Sequence, residues 1–257
     1  MQGTIDGFSY GLVTPVAAYL TACLGSALGL RCTVRSLALE RSRGAGWLAL
    51  GAVAIGCGIW SMHFIAMLGF QVSGADITYD TTLTFLSLLV AVLVVGAGVF
   101  TVGYLGTRPG PLLAAGVFTG LGVAGMHYLG MAAMRMNGSL SYDPGVVALS
   151  VAIAVVAATA ALWAAVAVRG FLASLGASVV MGVAVTGMHY TGMAAVDVHL
   201  THGVYGGGSS AVSVLALLIG PLVVLVLAAA IVMFDPMLIG GEDEPERRPE
   251  RKAAGVL

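Results

Sequence analysis

The sequence predicts an all-α membrane protein: seven transmembrane helices, built as three repeated helix hairpins plus a seventh helix, with the N-terminus outside and the C-terminus cytoplasmic. Three observations carry this. Of the 257 residues, 59% are hydrophobic and only 9% charged, and the mean hydropathy is +1.00. Soluble domains carry roughly 25% charged residues, so there is too little polar surface here to coat a water-soluble globule. Seven stretches reach the roughly 20 apolar residues that a bilayer core of about 30 Å demands. Finally, one pattern recurs three times at nearly constant spacing.

The seven stretches are Phe8–Leu30, Gly46–Phe70, Thr82–Leu105, Pro111–Met134, Gly145–Val168, Gly170–Val196 and Ala211–Phe234. Backbone groups cannot go unpaired in lipid, so they are helices rather than open strands, and the alternation of a transmembrane barrel is absent. Pro15 and the Gly220-Pro221 pair are expected to kink the first and last spans. The segment Met1–Gly7 holds an acid and no base, unlike a cleavable signal, and the first span is therefore expected to stay. Orientation follows from the basic residues. Arg31, Arg35, Arg41, Arg43, Arg108, Arg169, Arg247, Arg248, Arg251 and Lys252 all fall on one side, and only Arg135 falls opposite, among Asp6, Asp76, Asp80, Asp143 and Asp197. Residues 1–239 form the membrane domain. The charged, proline-containing stretch 240–257 is expected to be a disordered cytoplasmic tail. Cys23, Cys32 and Cys57 are too few and too oddly placed for a disulfide framework and read as small buried side chains. The net charge of −1 says nothing about nucleic acid, but no Lys/Arg-rich surface segment is present to bind it, so no nucleic acid is expected as a partner.

The repeat comprises Gly56–Met67 (GCGIWSMHFIAM), Gly120–Met131 (GLGVAGMHYLGM) and Gly182–Met193 (GVAVTGMHYTGM), offset by 64 and 62 residues. Each copy lies toward the end of an even-numbered helix, and all three helices run from cytoplasm to exterior. His63, His127 and His189 come roughly 16–19 residues after the starts of their spans, which at 1.5 Å rise per residue places all three in the outer leaflet at matched depth. Parallel repeats around an axis along the membrane normal would bring them together.

Residues i and i+4 share a helix face, so His63 pairs with Met67, His127 with Met131 and His189 with Met193. Met62, Met126 and Met188 lie about 100° round the helix, facing either the same cavity or a neighbouring helix. Imidazole nitrogen with thioether sulfur suits copper, above all Cu(I). No carboxylate lies inside these spans. Gly56, Gly120 and Gly182, and then Ser61, Gly125 and Gly187, are small residues of the kind that let helices approach closely in lipid. Phe64, Tyr128 and Tyr190 read as members of an interfacial aromatic belt. Asp197, His199 and His202 cluster in the outer loop after the third copy, where a solvated loop and a second metal site compete. Asp76, Asp80 and Asp143 fit the solvated account. No phosphate-binding loop, dinucleotide fingerprint or HExxH pattern occurs.

The segments Met62–Met67, Met126–Met131 and Met188–Met193 resemble the MHYT domain, a bacterial membrane sensor module. The resemblance extends to about Phe234. The third copy reads M-H-Y-T outright (Met188, His189, Tyr190, Thr191), the second has Leu129 for the Thr, and the first has Phe64-Ile65. It implies a seven-helix domain that binds copper through Met and His and senses a diatomic gas such as O2, CO or NO, in a family often fused to cyclic-di-GMP-turnover or kinase domains. Only about twenty polar residues follow the seventh span here, so the expectation is a stand-alone form that signals through a separate membrane or cytoplasmic output protein.

The leading expectation is thus a copper-binding sensor of a gas or of redox state in the cytoplasmic membrane. A copper-dependent membrane oxidoreductase ranks below it, because no base or substrate-binding residue stands out. A copper carrier also ranks below, because the soft ligands gather at one depth instead of forming a ladder. Haem is the cofactor to weigh after copper, given ordinary His/Met axial ligation.

Overall fold

The computed structural model describes residues 5–7, 9–200 and 210–235. Seven helices run through them: α1 (Val13–Leu37), α2 (Arg41–Leu68), α3 (Thr81–Leu105), α4 (Pro109–Ala132), α5 (Pro144–Ala167), α6 (Phe171–Ala194) and α7 (Ser210–Met233). All seven are long and apolar enough to cross a membrane, and the chain is a multi-pass membrane protein. Large apolar side chains such as Phe85, Val156 and Leu172 point outward, as a lipid-facing surface requires.

The helices extend further than hydropathy alone suggests. α1 runs on to Leu37 and α2 starts at Arg41, so the four arginines expected in a loop lie on helix ends. Arginine tolerates this because its stem packs on apolar surface while its charged head reaches outward. The Arg31 guanidinium sits 4.7 Å from the Phe171 ring and that of Arg35 5.8 Å from Trp47. Turns at this end are tight. Gly106 and Gly170 connect the next two hairpins with φ of +67° and +84°, a region that glycine enters without strain. Pro15 lies in the first turn of α1, where a missing N–H leaves no bond unmade, so the kink expected there has no cause. Pro221 does lie inside α7.

The other end carries six short strands that add to the helical architecture: β1 (Ile5–Asp6), β2 (Gln71–Val72), β3 (Thr78–Tyr79), β4 (Met134–Arg135), β5 (Gly138–Tyr142) and β6 (Val196–Leu200). They pair antiparallel as β1–β2, β3–β4 and β5–β6. Each pair joins the segment before an odd helix to the segment after the following even helix. The repeating unit is therefore β-α-α-β, closed on itself at the outer end. Two of the outer aspartates begin helices. Asp80 accepts a hydrogen bond from Leu83 N–H at 3.0 Å, and Asp143 accepts one from Val146 N–H at 2.9 Å. Arg135, the one basic residue on this side, donates to Asp80 at 3.2 Å.

Helices α1 to α6 form a ring in which each packs on the next and α6 closes on α1. Even helices meet the odd helix of the following repeat at the glycine that opens the motif. A Cβ on Gly56 would press on Val92 of α3, one on Gly120 on Val155 of α5, and one on Gly182 on Cys23 of α1. By contrast, Gly125 and Gly187 have nothing within reach and are exposed, so they are not the close-approach positions expected of them. α7 lies outside the ring against α2 and α1. That makes α2 the most enclosed span, with 78% of its most apolar window buried against 17% for α5. The expected tail, residues 240–257, lies outside the described residues.

Gly120→Val should lower the thermal unfolding midpoint in detergent, by the equivalent of about 1–3 kcal/mol, because its side chain meets backbone atoms of α5. Gly125→Ala should be neutral or raise the midpoint, since helix propensity improves by about 0.5–1 kcal/mol with no clash. The Leu83 N–H, followed by Arg135, holds the Asp80 carboxyl below the ordinary carboxylate range. A depressed carboxylate stabilises above its unfolded pKa and loses that effect as pH falls. Wild type should therefore melt above Asp80→Asn at pH 7, and the gap should close on acidification through the carboxylate range.

Candidate metal centre

The three motif histidines converge. His63 Nδ1 lies 3.0 Å from His189 Nδ1 and 3.2 Å from His127 Nδ1, and His189 Nδ1 lies 3.3 Å from His127 Nδ1. All three side chains are buried, and they are the group among the described residues whose ligand atoms sit close enough to hold one metal ion. The matched depth read from the sequence is thus realised as contact.

The chemistry of this triangle is specific. A neutral imidazole carries one N–H, and each ring nitrogen offers either that proton or a lone pair. Three Nδ1 atoms facing one another cannot each donate and accept, so at most one of the three contacts is a full hydrogen bond. The remaining lone pairs oppose each other in a buried, low-dielectric surrounding. A cation removes the conflict. In a triangle with these edges the centre lies about 1.8 Å from each corner, so a small displacement from its plane gives the roughly 2.0 Å bond of a metal–imidazole pair.

The outer ring edges explain the small residue at the third position after each His. A methyl on Gly130 would collide with His63 Nε2, and one on Gly192 with His127 Nε2. The His63 and His127 imidazoles are each laid over the next repeat's motif helix, which needs glycine there. These two Nε2 atoms are buried without a hydrogen-bond partner. Leaving such groups unpaired costs about 1–3 kcal/mol each. The first repeat has Ala66 at this position. There, Ala66, His189, Tyr190 and Met193 help line an opening of about 270 Å³ beside Gly7 and Phe70. Gly130 and Gly192 were visible in the repeat as a conserved small position across its copies. Their role was not, because it depends on the rotational phase of each helix.

The motif aromatics surround the triad, correcting the expected interfacial belt. Phe64, Tyr128 and Tyr190 each stand edge-on to the preceding histidine, with ring centroids 4.7, 4.8 and 5.0 Å apart. Phe64 is fully buried between Trp60 and Tyr79. The Tyr128 hydroxyl lies 2.6 Å from Ser150 Oγ, tying α4 to α5. Trp60, whose counterparts are Ala124 and Thr186, donates to Ser87 Oγ at 2.9 Å and locks α2 to α3.

The methionines divide. Met67, Met131 and Met193 gather in one apolar cluster with residues of the outer strands, including Val72, Met134 and Val198. Met126 and Met188 belong to the central core, and Met62 packs with Ala18 and Ala22 of α1. Of the weaker candidates, Asp197 and His199 lie exposed on one face of β6, and His202 lies outside the described residues. Asp80 and Asp143 are helix caps, while Asp76 helps line a pocket at the outer end. Cys23, Cys32 and Cys57 are free thiols.

Fold and site together define a membrane domain with a buried three-histidine centre formed by internal repeats. Residues 56–115 and 120–178 match the family model MHYT, described as a bacterial signalling protein N-terminal repeat. The chain belongs to this family. It is 42% identical over 195 residues, 73% of its length, to the bifunctional diguanylate cyclase/cyclic di-GMP phosphodiesterase MucR of Pseudomonas aeruginosa, covering 28% of that protein. It is 38% identical over 76% of its length to the cyclic di-GMP phosphodiesterase NbdA of the same organism, covering 26% of it. Against the signaling protein YkoW of Bacillus subtilis the figures are 31%, 70% and 24%. The chain thus spans about a quarter of the length of these relatives. No solved structure matches it.

Gly130→Ala and Gly192→Ala should each displace an imidazole and lower the thermal midpoint, since the added methyl meets a ring enclosed by other helices. Gly187→Ala, on the open face of α6, should leave the midpoint within error in the same assay.

Proposed function

We propose that the domain is the sensing part of a membrane signalling system, using one copper ion held by His63, His127 and His189. The single observation that carries this is the convergence of three buried Nδ1 atoms within 3.0–3.3 Å. All nearby donors are neutral, so a monovalent soft ion leaves less uncompensated charge in a low-dielectric interior than a divalent one. Met67, Met131 and Met193 are the thioethers assigned to the same centre, being gathered on its outer side. Met62, Met126 and Met188 are assigned a supporting role through packing. A copper ion at such a site supplies an electron-rich centre for a diatomic gas or for a one-electron redox change.

Transmission runs through the protein's own contacts. His63 lies on α2, α2 carries α7 on its outer side, and Asp235 at the end of α7 accepts from Arg35 of α1 at 2.8 Å. A shift of the triad therefore reaches the chain leaving the membrane. Two of the named relatives, MucR and NbdA, are cyclic-di-GMP enzymes, and an output of that type, in the same polypeptide or a separate one, fits this exit. A copper oxidoreductase or a carrier remains the alternative use of the same ligands.

Metal analysis of protein purified in detergent should give about one copper per chain, and the His63/His127/His189→Ala triple variant should contain none. Equal copper in both would sink the proposal. A Met67/Met131/Met193→Leu variant should keep binding but lose at least tenfold in Cu(I) affinity measured by competition with a chromogenic chelator. A Soret band in the wild type would replace copper with haem.

A further inference from the structure

Below the triad, toward the middle of the membrane, lies a cavity of about 50 Å³ that the metal reading does not use. Its walls come from all six ring helices, which places it on the axis of the ring. On the motif helices it is lined at the positions four residues before each histidine, Ile59, Val123 and Val185, and eight before, Ile55, Thr119 and Met181. At 1.5 Å per residue these levels lie roughly 6 and 12 Å beneath the imidazoles. On α5 the wall is a run of alanines, among them Ala157, Ala158 and Ala161.

The lining decides what such a space holds. A buried water needs two to four polar partners. Of the side chains around this cavity only Ser26 and Thr119 bear hydroxyls, and the Thr119 hydroxyl already donates to the Val94 carbonyl at 3.2 Å. Apolar cavities of this kind stay dry and take up apolar guests, and a volume of roughly 150 Å³ is the scale that admits benzene. Here the space is a third of that. It exceeds the roughly 10–15 Å³ that one small probe needs. The geometry points to a binding chamber for an uncharged, apolar molecule of gas size, with two or three heavy atoms, on the axis directly beneath the three histidines.

The repeat explains why the chamber exists. Three helices that converge at the histidines bring glycine and alanine to their contacts there, whereas a turn or two lower the wall is filled by larger side chains on α2, α4 and α6 but mostly by alanine on α5, with Leu162 its one large residue there. The chamber is thus the place where the third repeat's small residues leave the axis unfilled. A gas that partitions into the bilayer would be held in it next to the triad. This deepens the function proposed above for what the guest does, but binding itself requires no metal.

The test uses the whole chain in lipid nanodiscs with xenon as the probe, read by ¹²⁹Xe NMR, with copper measured on the same samples. Lipid gives a linear background, and the chamber adds a saturable component. Ala158→Leu and Ala161→Leu fill it from α5, which bears no motif residue, and should cut that component at least tenfold while copper content stays at the wild-type level. Leu162→Ala enlarges it and should raise the component, which keeps the inference testable if a filled variant does not fold. A wild type with no saturable component, or one unchanged in all folded variants, overturns the chamber. Saturable binding in a protein that holds no metal would instead retain the chamber and overturn the copper reading.

Discussion

Three imidazole nitrogens held 3.0–3.3 Å apart inside a bundle of apolar helices set the terms for the rest of this protein. Water would ordinarily relieve such crowding, but a span buried in lipid and protein has none to offer, and opposing lone pairs grow more costly as the dielectric falls. Holding the rings there requires three helices at one depth, close approach between them and fixed rotation of each. Every repeated feature of the fold answers one of these requirements. The strand pairs β1–β2, β3–β4 and β5–β6 fix the depth of each hairpin at the outer end. Gly56, Gly120 and Gly182 set the approach to the next repeat, and Gly130 and Gly192 admit the ring edges. The aromatic after each histidine fills the space beside it.

The threefold plan is broken in one sector, and the breaks agree with one another. α7 packs on α2, Trp60 ties α2 to α3, and Ala66 replaces the glycine of the other copies. A fully symmetric ring would give its centre no preferred direction in which to send a displacement. With α2 clamped to α3 and covered by α7, movement at His63 is passed to a helix outside the ring, while movement at His127 or His189 has no such outlet. The Arg35–Asp235 pair, with side chains 14% and 7% exposed, makes the far end of that route stiff. An ion pair this enclosed is costly to break by removing one partner, which suits a joint that must move as a unit.

Much of this was legible in the sequence. Span count, the repeat, the direction of the even helices and the matched depth of the three histidines all follow from length and spacing, and these quantities survive folding unchanged. The rotational phase of the helices was not legible. A helix that is apolar on all sides has no amphipathic stripe to say which face points inward. Spacing therefore points to Gly125 and Gly187 as contact positions, whereas Gly130 and Gly192 hold that place, and to Phe64, Tyr128 and Tyr190 at an interface, whereas they pack beside the triad. The strands escaped for a different reason. Four of the six have two residues, and each pairs with a partner beyond two helices, so no local alternation marks them. The arginines after the first span hid the true helix ends, since charge reads as loop even where a long side chain can carry it clear of the apolar region.

The division of the methionines bears on how the centre can respond. Those four residues after each histidine, Met67, Met131 and Met193, share one cluster with the outer strands, whereas those immediately before it are split between the core and α1. The three methionines gathered on the outer side make the two faces of the histidine plane unlike each other. Above it stand three clustered thioethers beside the strands, and below it lies a space lined almost wholly by apolar side chains, Met181 and Met188 among them. If the triad holds an ion as proposed, the two sides would offer it different partners: the clustered thioethers above, or a small molecule in the space below. Competition between them would convert occupancy of the lower side into displacement along the axis. Displacement along that axis is the motion to which three convergent helices, one of them carrying α7, are least indifferent.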